Sequence, residues 1–90
     1  MINQYKISVK GTVQGVGFRY YTKQKAVELG VLGTVQNLAD GSVVIYAQGE
    51  ETPINVFLDW CHNGPSTSTV KMLDYKSIPL GSYDNFKIIR

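Results

Sequence analysis

A short turn signal stands at the centre of the chain, where the pair Asp40-Gly41 separates two runs that favour β-strands. Residues 31–37 and 42–48 form these runs, and Asp-Gly favours a tight turn because it tolerates positive φ. We therefore expect a β-hairpin here. In its second strand, one alternate set of side chains is predicted to face the helices and the other a more open face; the first set is Val43, Ile45 and Ala47, and the second is Val44 and Tyr46.

The segment before the hairpin predicts a strand, a glycine-rich loop and a helix. Apolar and polar residues alternate from Tyr5 to Val9, which is the period of a half-buried strand. From about Tyr20 to Leu29, apolar positions recur at helical spacing, and Gly30 ends the pattern.

The segment after the hairpin predicts a second helix and two strands. Thr52 is expected to cap this helix with Pro53 in its first position, and an apolar stripe runs from Ile54 to Cys61. Asn63-Gly64-Pro65 should end it. Residues 69–75 can form a fourth strand and residues 86–89 a short fifth strand.

The order β-α-β-β-α-β plus a short C-terminal strand predicts an α+β fold, the ferredoxin-like split βαβ sandwich. Two helices should cover one face of an antiparallel sheet. With 90 residues and 43% hydrophobic content, residues 1–90 are expected to form a single domain. Because this fold supports many functions, it does not by itself identify one.

Composition excludes several classes of function. The net charge is only +2 with no run of like charges, so we expect no nucleic-acid partner. Cys61 is the only cysteine, which leaves no internal disulfide. Residues 1–10 do not resemble a signal peptide, and no apolar run approaches the ~18 residues that span a membrane. A cytoplasmic location is the expectation.

The loop from Gly11 to Arg19 carries the most chemistry. Its glycines permit sharp turns with backbone N–H groups pointing inward, and the start of a helix adds a partial positive charge, so the loop could bind an anion. Arg19 could supply a planar, permanently charged fork for a phosphoryl group. The alternative is a tight strand-to-helix connection with Arg19 as a solvated charge. The loop matches neither the Walker A motif nor the dinucleotide fingerprint.

Asn37 is the second candidate for a site residue. It closes the second predicted strand just before the Asp40-Gly41 turn, although asparagine in such a place is common for turn chemistry alone.

The run from Val9 to Arg19, VKGTVQGVGFR, resembles the first signature of the acylphosphatase family at every defining position. A second signature is nearly complete, and patterns further along the chain agree with it. The matching residues are Gly33, Val35, Gln36, Asn37, Gly41, Val43, Gly49, Trp60, Gly64, Pro65, Val70, Phe86, Lys87 and Ile88. Thr34 departs from the usual aromatic residue, a change expected to affect packing more than catalysis.

The resemblance implies a metal-free and cofactor-free hydrolase of acyl phosphates. It implies that Arg19 binds the phosphate and that Asn37 orients the attacking water. The backbone of Gln14, Gly15, Val16, Gly17, Phe18 and Arg19 would cradle the phosphate. It further implies a small-molecule acyl phosphate as substrate, inorganic phosphate as product and competitive inhibitor, and a monomeric protein.

The other reactive side chains are weaker candidates for catalysis or metal binding. Cys61 lies on the apolar stripe of the second helix and is expected in the core, and His62 has no partner at metal-ligand spacing.

Two non-enzymatic functions remain as alternatives. One is an RNA-binding module, which would need aromatic residues such as Tyr20 and Tyr21 on a central strand, whereas they are expected to enter a helix. The other is a regulatory module that binds phosphate without turnover.

Overall fold

The computed structural model describes residues 1–90, and its element order is the predicted one. The elements are β1 (Ile2–Thr12), α1 (Phe18–Leu29), β2 (Leu32–Asn37), β3 (Val43–Glu50), α2 (Glu51–Asn63), β4 (Thr69–Ile78) and β5 (Phe86–Ile89). Neither helix is long and apolar enough to cross a membrane.

The five strands form one sheet in the order β4-β1-β3-β2-β5. The predicted hairpin is confirmed, because β2 pairs antiparallel with β3. Its turn is closed by backbone hydrogen bonds between Leu38 and Ser42 and between Gly41 and Leu38. The Asp40 carboxylate accepts hydrogen bonds from the backbone N–H and the hydroxyl of Ser42, and these bonds lower the pKa of Asp40. Asp40 thus stabilises the turn through its hydrogen bonds with Ser42.

The fifth strand corrects the prediction of a wholly antiparallel sheet. β5 lies parallel to β2, so the sheet is mixed. The cause is the chain path: β4 lies on one edge of the sheet and β5 on the other. Residues 79–85 cross the end of the sheet and reverse the chain direction, so β5 runs opposite to β4. Since β4 itself runs opposite to β2, β5 is parallel to β2.

Two glutamines hold this crossing segment in place. Gln4 is only 3% exposed; its Nε2 donates to the carbonyl oxygen of Pro79 at 2.5 Å, and its Oε1 accepts from the Tyr83 hydroxyl at 2.6 Å. Gln48 accepts from the backbone N–H of Gly81 and donates to its carbonyl oxygen. Partial burial raises the pKa of Tyr83. These bonds fix the path that leads the chain to β5.

The core lies between the helices and one face of the sheet. Val43, Ile45 and Ala47 are fully buried there, as the alternation predicted. Cys61 is also in this core, and burial raises the pKa of its thiol. On the opposite face Tyr46 is half-buried, but Val44 is buried too. Val44 was expected on a more open face, yet it lies on the central strand, where neighbours on both flanking strands cover it.

The start of α2 differs from the prediction. Thr52 does not cap this helix, because β3 passes directly into α2 and Glu50 occupies the cap position in an extended conformation. Thr52 and Pro53 therefore both lie inside the first turn. The helix ends at Asn63, followed by Gly64, as predicted. α1 begins at Phe18, two residues before the predicted start, and ends at Leu29, followed by Gly30 in the left-handed conformation.

Candidate active site

The loop between β1 and α1 bends through two glycines. Gly15 and Gly17 have φ values of 76° and 78°, a left-handed conformation that other residues rarely adopt. Buried side chains anchor both ends of the loop, Val13 before the bends and Phe18 after them. Left-handed residues spaced in this way turn successive backbone N–H groups toward a common point, which is the geometry of an anion-binding nest.

The backbone donors of this loop have no partners within the protein. None of the N–H groups of residues 14–17 donates a hydrogen bond to a protein acceptor. The first turn of α1 adds further donors, because the opening amides of a helix have no intrahelical acceptor. Gly17 at the cap offers no side chain, and the first turn contains no acidic residue. The partial positive charge of the helix start is therefore not neutralised.

Arg19 is the second residue of α1 and lines the cavity next to the loop. The two ion pairs of the protein lie elsewhere, between the N-terminal amine and Glu50 and between Lys25 and Glu28. The guanidinium of Arg19 therefore forms no ion pair within the protein. An arginine in this state suits bidentate binding of a phosphoryl group.

Asn37 ends β2 and contributes to the same cavity. Its Oδ1 is buried and has no hydrogen-bond partner. Buried polar atoms nearly always have a partner, so this unpartnered oxygen calls for an explanation, and a catalytic role is one such explanation. Because no protein group fixes this amide, a half-turn about its terminal bond can present either the oxygen or the nitrogen to the cavity.

The cavity has a volume of about 190 Å³ and joins three separate parts of the chain. Its walls are Val13, Gly15, Gly17, Phe18, Arg19, Tyr20, Asn37, Ile88 and Arg90. Arg19 and Asn37, distant in sequence, therefore meet in one place. Four of the six residues expected to form the cradle line the cavity, namely Gly15, Gly17, Phe18 and Arg19.

The remaining two cradle residues, Gln14 and Val16, hold the loop from outside the cavity. The side-chain Nε2 of Gln14 donates to the carbonyl oxygens of Leu38 and Ser42, both at 2.8 Å. Val16 packs against the core, and its carbonyl oxygen accepts from the Thr67 hydroxyl at 2.7 Å. Gln14 thereby ties the loop to the hairpin turn that follows Asn37.

Sequence reasoning missed Ile88 and Arg90 as part of this site. Both reach the cavity because β5 lies beside β2, with Ile88 paired to Val35. The pattern of β5 predicts a strand but does not indicate which edge of the sheet it joins. Tyr20 was expected at the start of a helix and is found there, and it also forms part of the wall.

The chemistry of this cavity follows from its walls. Two arginines, a loop with free backbone donors and one uncharged amide residue line a small concave space. No Asp, Glu or His residue lines its walls. Such a site can bind a compact oxyanion and stabilise negative charge on it, and it offers no Asp, Glu or His side chain as a general acid or base.

Comparison with known proteins identifies the family of this chain. The family model described as Acylphosphatase matches residues 5–88. The acylphosphatase of Archaeoglobus fulgidus is 46% identical over 83 residues, which cover 92% of this chain and 93% of that protein.

Solved structures give the same result. The crystal structure of an acylphosphatase from Bacillus subtilis matches with a TM-score of 0.94 and 36% identity, and each chain is covered completely. An acylphosphatase from Coxiella burnetii also matches with a TM-score of 0.94, at 33% identity, over 98% of this chain and 93% of that one. Sequence and fold therefore agree over the full length, and the chain belongs to the acylphosphatase family.

Proposed function

We propose that this protein hydrolyses the carboxyl-phosphate anhydride of acyl phosphates in the cavity between the β1–α1 loop and the end of β2. The observation that carries the proposal is the meeting of Arg19, a set of unpartnered backbone donors and the unpartnered amide of Asn37 in one small cavity. Membership of the acylphosphatase family supports the same reaction.

The first role is binding of the phosphoryl group. The free N–H groups of the loop and the Arg19 guanidinium would donate to its non-bridging oxygens. Charge on these oxygens changes during phosphoryl transfer, so fixed donors aimed at them stabilise the transition state without reorganisation of solvent. Because the loop is held by Gln14 and Val16 from outside, its donors are already in place before the substrate arrives.

The second role is placement of the nucleophile. With its oxygen turned toward the cavity, the Asn37 amide would accept a hydrogen bond from water and hold that water against the phosphorus. The water oxygen forms a bond to phosphorus as the bond to the acyl oxygen breaks. The carboxylate leaves with the electron pair, and the proton of the attacking water passes to the phosphate product or to solvent.

The leaving group explains why these few groups suffice. A carboxylate is a weak base with a conjugate acid pKa near 4, so it departs at neutral pH without protonation. An alkoxide leaving from a phosphate monoester would need a general acid, and no Asp, Glu or His residue lines the cavity. We therefore expect hydrolysis of acyl phosphates and very poor hydrolysis of phosphate monoesters.

A direct assay tests this proposal. The rate of hydrolysis of benzoyl phosphate should be the same with and without excess EDTA, and so should the rate for acetyl phosphate, because the positive charge is assigned to Arg19 and to backbone donors. Inorganic phosphate should raise the apparent KM without changing kcat. Binding of phosphate without turnover, or inhibition by phosphate that leaves KM unchanged, would contradict the assigned reaction or the assigned cavity, respectively.

A further inference from the structure

We call the cavity lined by Arg19 and Asn37 the catalytic cavity. A second, apolar hollow adjoins it and has no role in the reaction described above. It has a volume of about 320 Å³ and is lined by Tyr20, Lys23, Gln24, Val27 and Ile88. We call it the acyl trough. We propose that the acyl trough binds the acyl group of the substrate, and that the enzyme therefore prefers acyl phosphates with extended apolar or aromatic acyl groups. This inference rests on the proposed function.

Continuity with the catalytic cavity is the first argument. Tyr20 and Ile88 line both the catalytic cavity and the acyl trough, so the two spaces meet at these side chains. Whatever is attached to a phosphoryl group held by Arg19 must leave the catalytic cavity past its walls. Two of those walls are also walls of the trough.

Tyr20 and Val27, two apolar side chains of the trough, do not belong to the hydrophobic core. The buried face of α1 consists of Phe18, Thr22 and Ala26. Tyr20 and Val27 lie on another face and are 59% and 64% exposed. Exposed apolar side chains that cluster beside a functional cavity commonly mark a binding surface.

The shape of the trough suits an extended group. Its four helical residues stand at positions i, i+3, i+4 and i+7 of α1 and so form one stripe along the helix. At 1.5 Å per residue the stripe is about 10 Å long. Ile88 of β5 closes the side that faces the sheet. Lys23 and Gln24 can cover an apolar ligand with their aliphatic stems while their polar ends stay in water.

A larger cavity elsewhere does not compete for this role. It has a volume of about 440 Å³ and is lined by Tyr21, Gln24, Lys25, Glu28, Trp60 and residues 65–67. It shares no residue with the catalytic cavity and only Gln24 with the acyl trough. A substrate bound at Arg19 has no common wall that leads into it.

The expected effect is a dependence of kcat/KM on chain length. Full burial of one methylene group is worth about fourfold in affinity, and because the trough is open to solvent on one side we expect about twofold per methylene. Hexanoyl phosphate, with four more methylenes than acetyl phosphate, should therefore be favoured by about tenfold to twentyfold. Since the acyl group is held equally before and during the reaction, the gain should appear mainly as a lower KM.

The experiment measures the ratio of kcat/KM for hexanoyl phosphate to that for acetyl phosphate. The test variant is Val27→Ser, which makes the trough more polar, and Val27→Leu keeps it apolar. The matched control is Val56→Ser on α2, where Val56 is 45% exposed and lies outside the trough. The ratio should fall by about threefold or more in Val27→Ser. It should remain near the wild-type value in Val27→Leu and in Val56→Ser.

The outcomes separate this inference from the proposed function. If both acyl phosphates are hydrolysed and phosphate competes, but the ratio is near one or is equal in Val27→Ser and Val56→Ser, the trough assignment is overturned and the proposed function stands. If neither substrate is hydrolysed by the wild type, the proposed function fails and the trough assignment fails with it.

Discussion

Asn37→Ala should lower turnover and at the same time stabilise the protein. The buried Oδ1 of Asn37 has no hydrogen-bond partner, and an unsatisfied buried polar atom costs on the order of 1–3 kcal/mol. Alanine removes that atom together with a small volume of side chain. We expect the free energy of unfolding to rise by up to about 1 kcal/mol, which is equivalent to an increase in Tm of about 4–8 °C for a domain of this size.

The catalytic effect of Asn37→Ala should differ from that of Arg19→Ala. Loss of the water-orienting amide should reduce kcat while the inhibition constant of inorganic phosphate stays nearly unchanged, because phosphate binding does not need the water. Loss of Arg19 removes the principal charge that faces the phosphate. It should lower kcat by about 10²- to 10³-fold and also weaken phosphate binding. Arg19 makes no ion pair, so Arg19→Ala should leave Tm close to that of the wild type.

The assays are steady-state hydrolysis of benzoyl phosphate, competition by inorganic phosphate, and thermal unfolding followed by circular dichroism. Asn85→Ala is the matched control, since Asn85 is exposed, its side chain makes no hydrogen bond and it lies outside the cavity. Near-normal turnover of folded Asn37→Ala, or loss of phosphate binding as severe as in Arg19→Ala, would refute the water-orienting role. A clear fall in Tm would refute the stability argument.

Three further predictions concern the neighbouring structure. Gln14→Ala removes two hydrogen bonds to the hairpin turn and should lower the free energy of unfolding by about 1–2 kcal/mol, measured by urea denaturation, with a parallel loss of kcat. The Cys61 thiol should not react with a thiol reagent at neutral pH until the protein unfolds, because it is buried and its pKa is raised. The lowered pKa of Asp40 stabilises the folded state above the ordinary value of 3.8, and this contribution should disappear as the pH falls through the lowered pKa. Acid unfolding curves of wild type and Asp40→Asn should therefore converge at low pH.

Local signals in the sequence predicted most of the fold. The Asp40-Gly41 turn, the alternation along β1 and β3, and the glycines that end both helices act over a few residues, so they can be recognised without the tertiary structure. The start of α2 could not be predicted in this way. The Thr52-Pro53 pair has the composition of a helix cap, but β3 runs directly into the helix and places the cap at Glu50.

Some residues of the candidate site could likewise be predicted from the sequence, and others could not. Arg19 and Asn37 could be predicted because long signatures surround both residues, and the structure brings them into one cavity. Ile88 and Arg90 could not, since their place depends on which edge of the sheet β5 joins. Thr34, the departure from the family pattern, pairs with Tyr46 and does not line the cavity. This position agrees with an effect on packing.

The order of strands in the sheet also bears on how fast the chain can fold. Only the hairpin between β2 and β3 joins neighbours in sequence, whereas Gln4 pairs with Ile78 and Gly33 pairs with Phe86. Each distant pairing must close a long loop before its contacts contribute any stability, and the entropy of closure opposes the early steps. We expect refolding on the timescale of milliseconds to seconds, in the range of proteins dominated by non-local contacts. The edge strand β5, which contributes Ile88 to the candidate active site, depends on one of these distant pairings. Activity should therefore return when β5 joins the sheet and not when the hairpin forms.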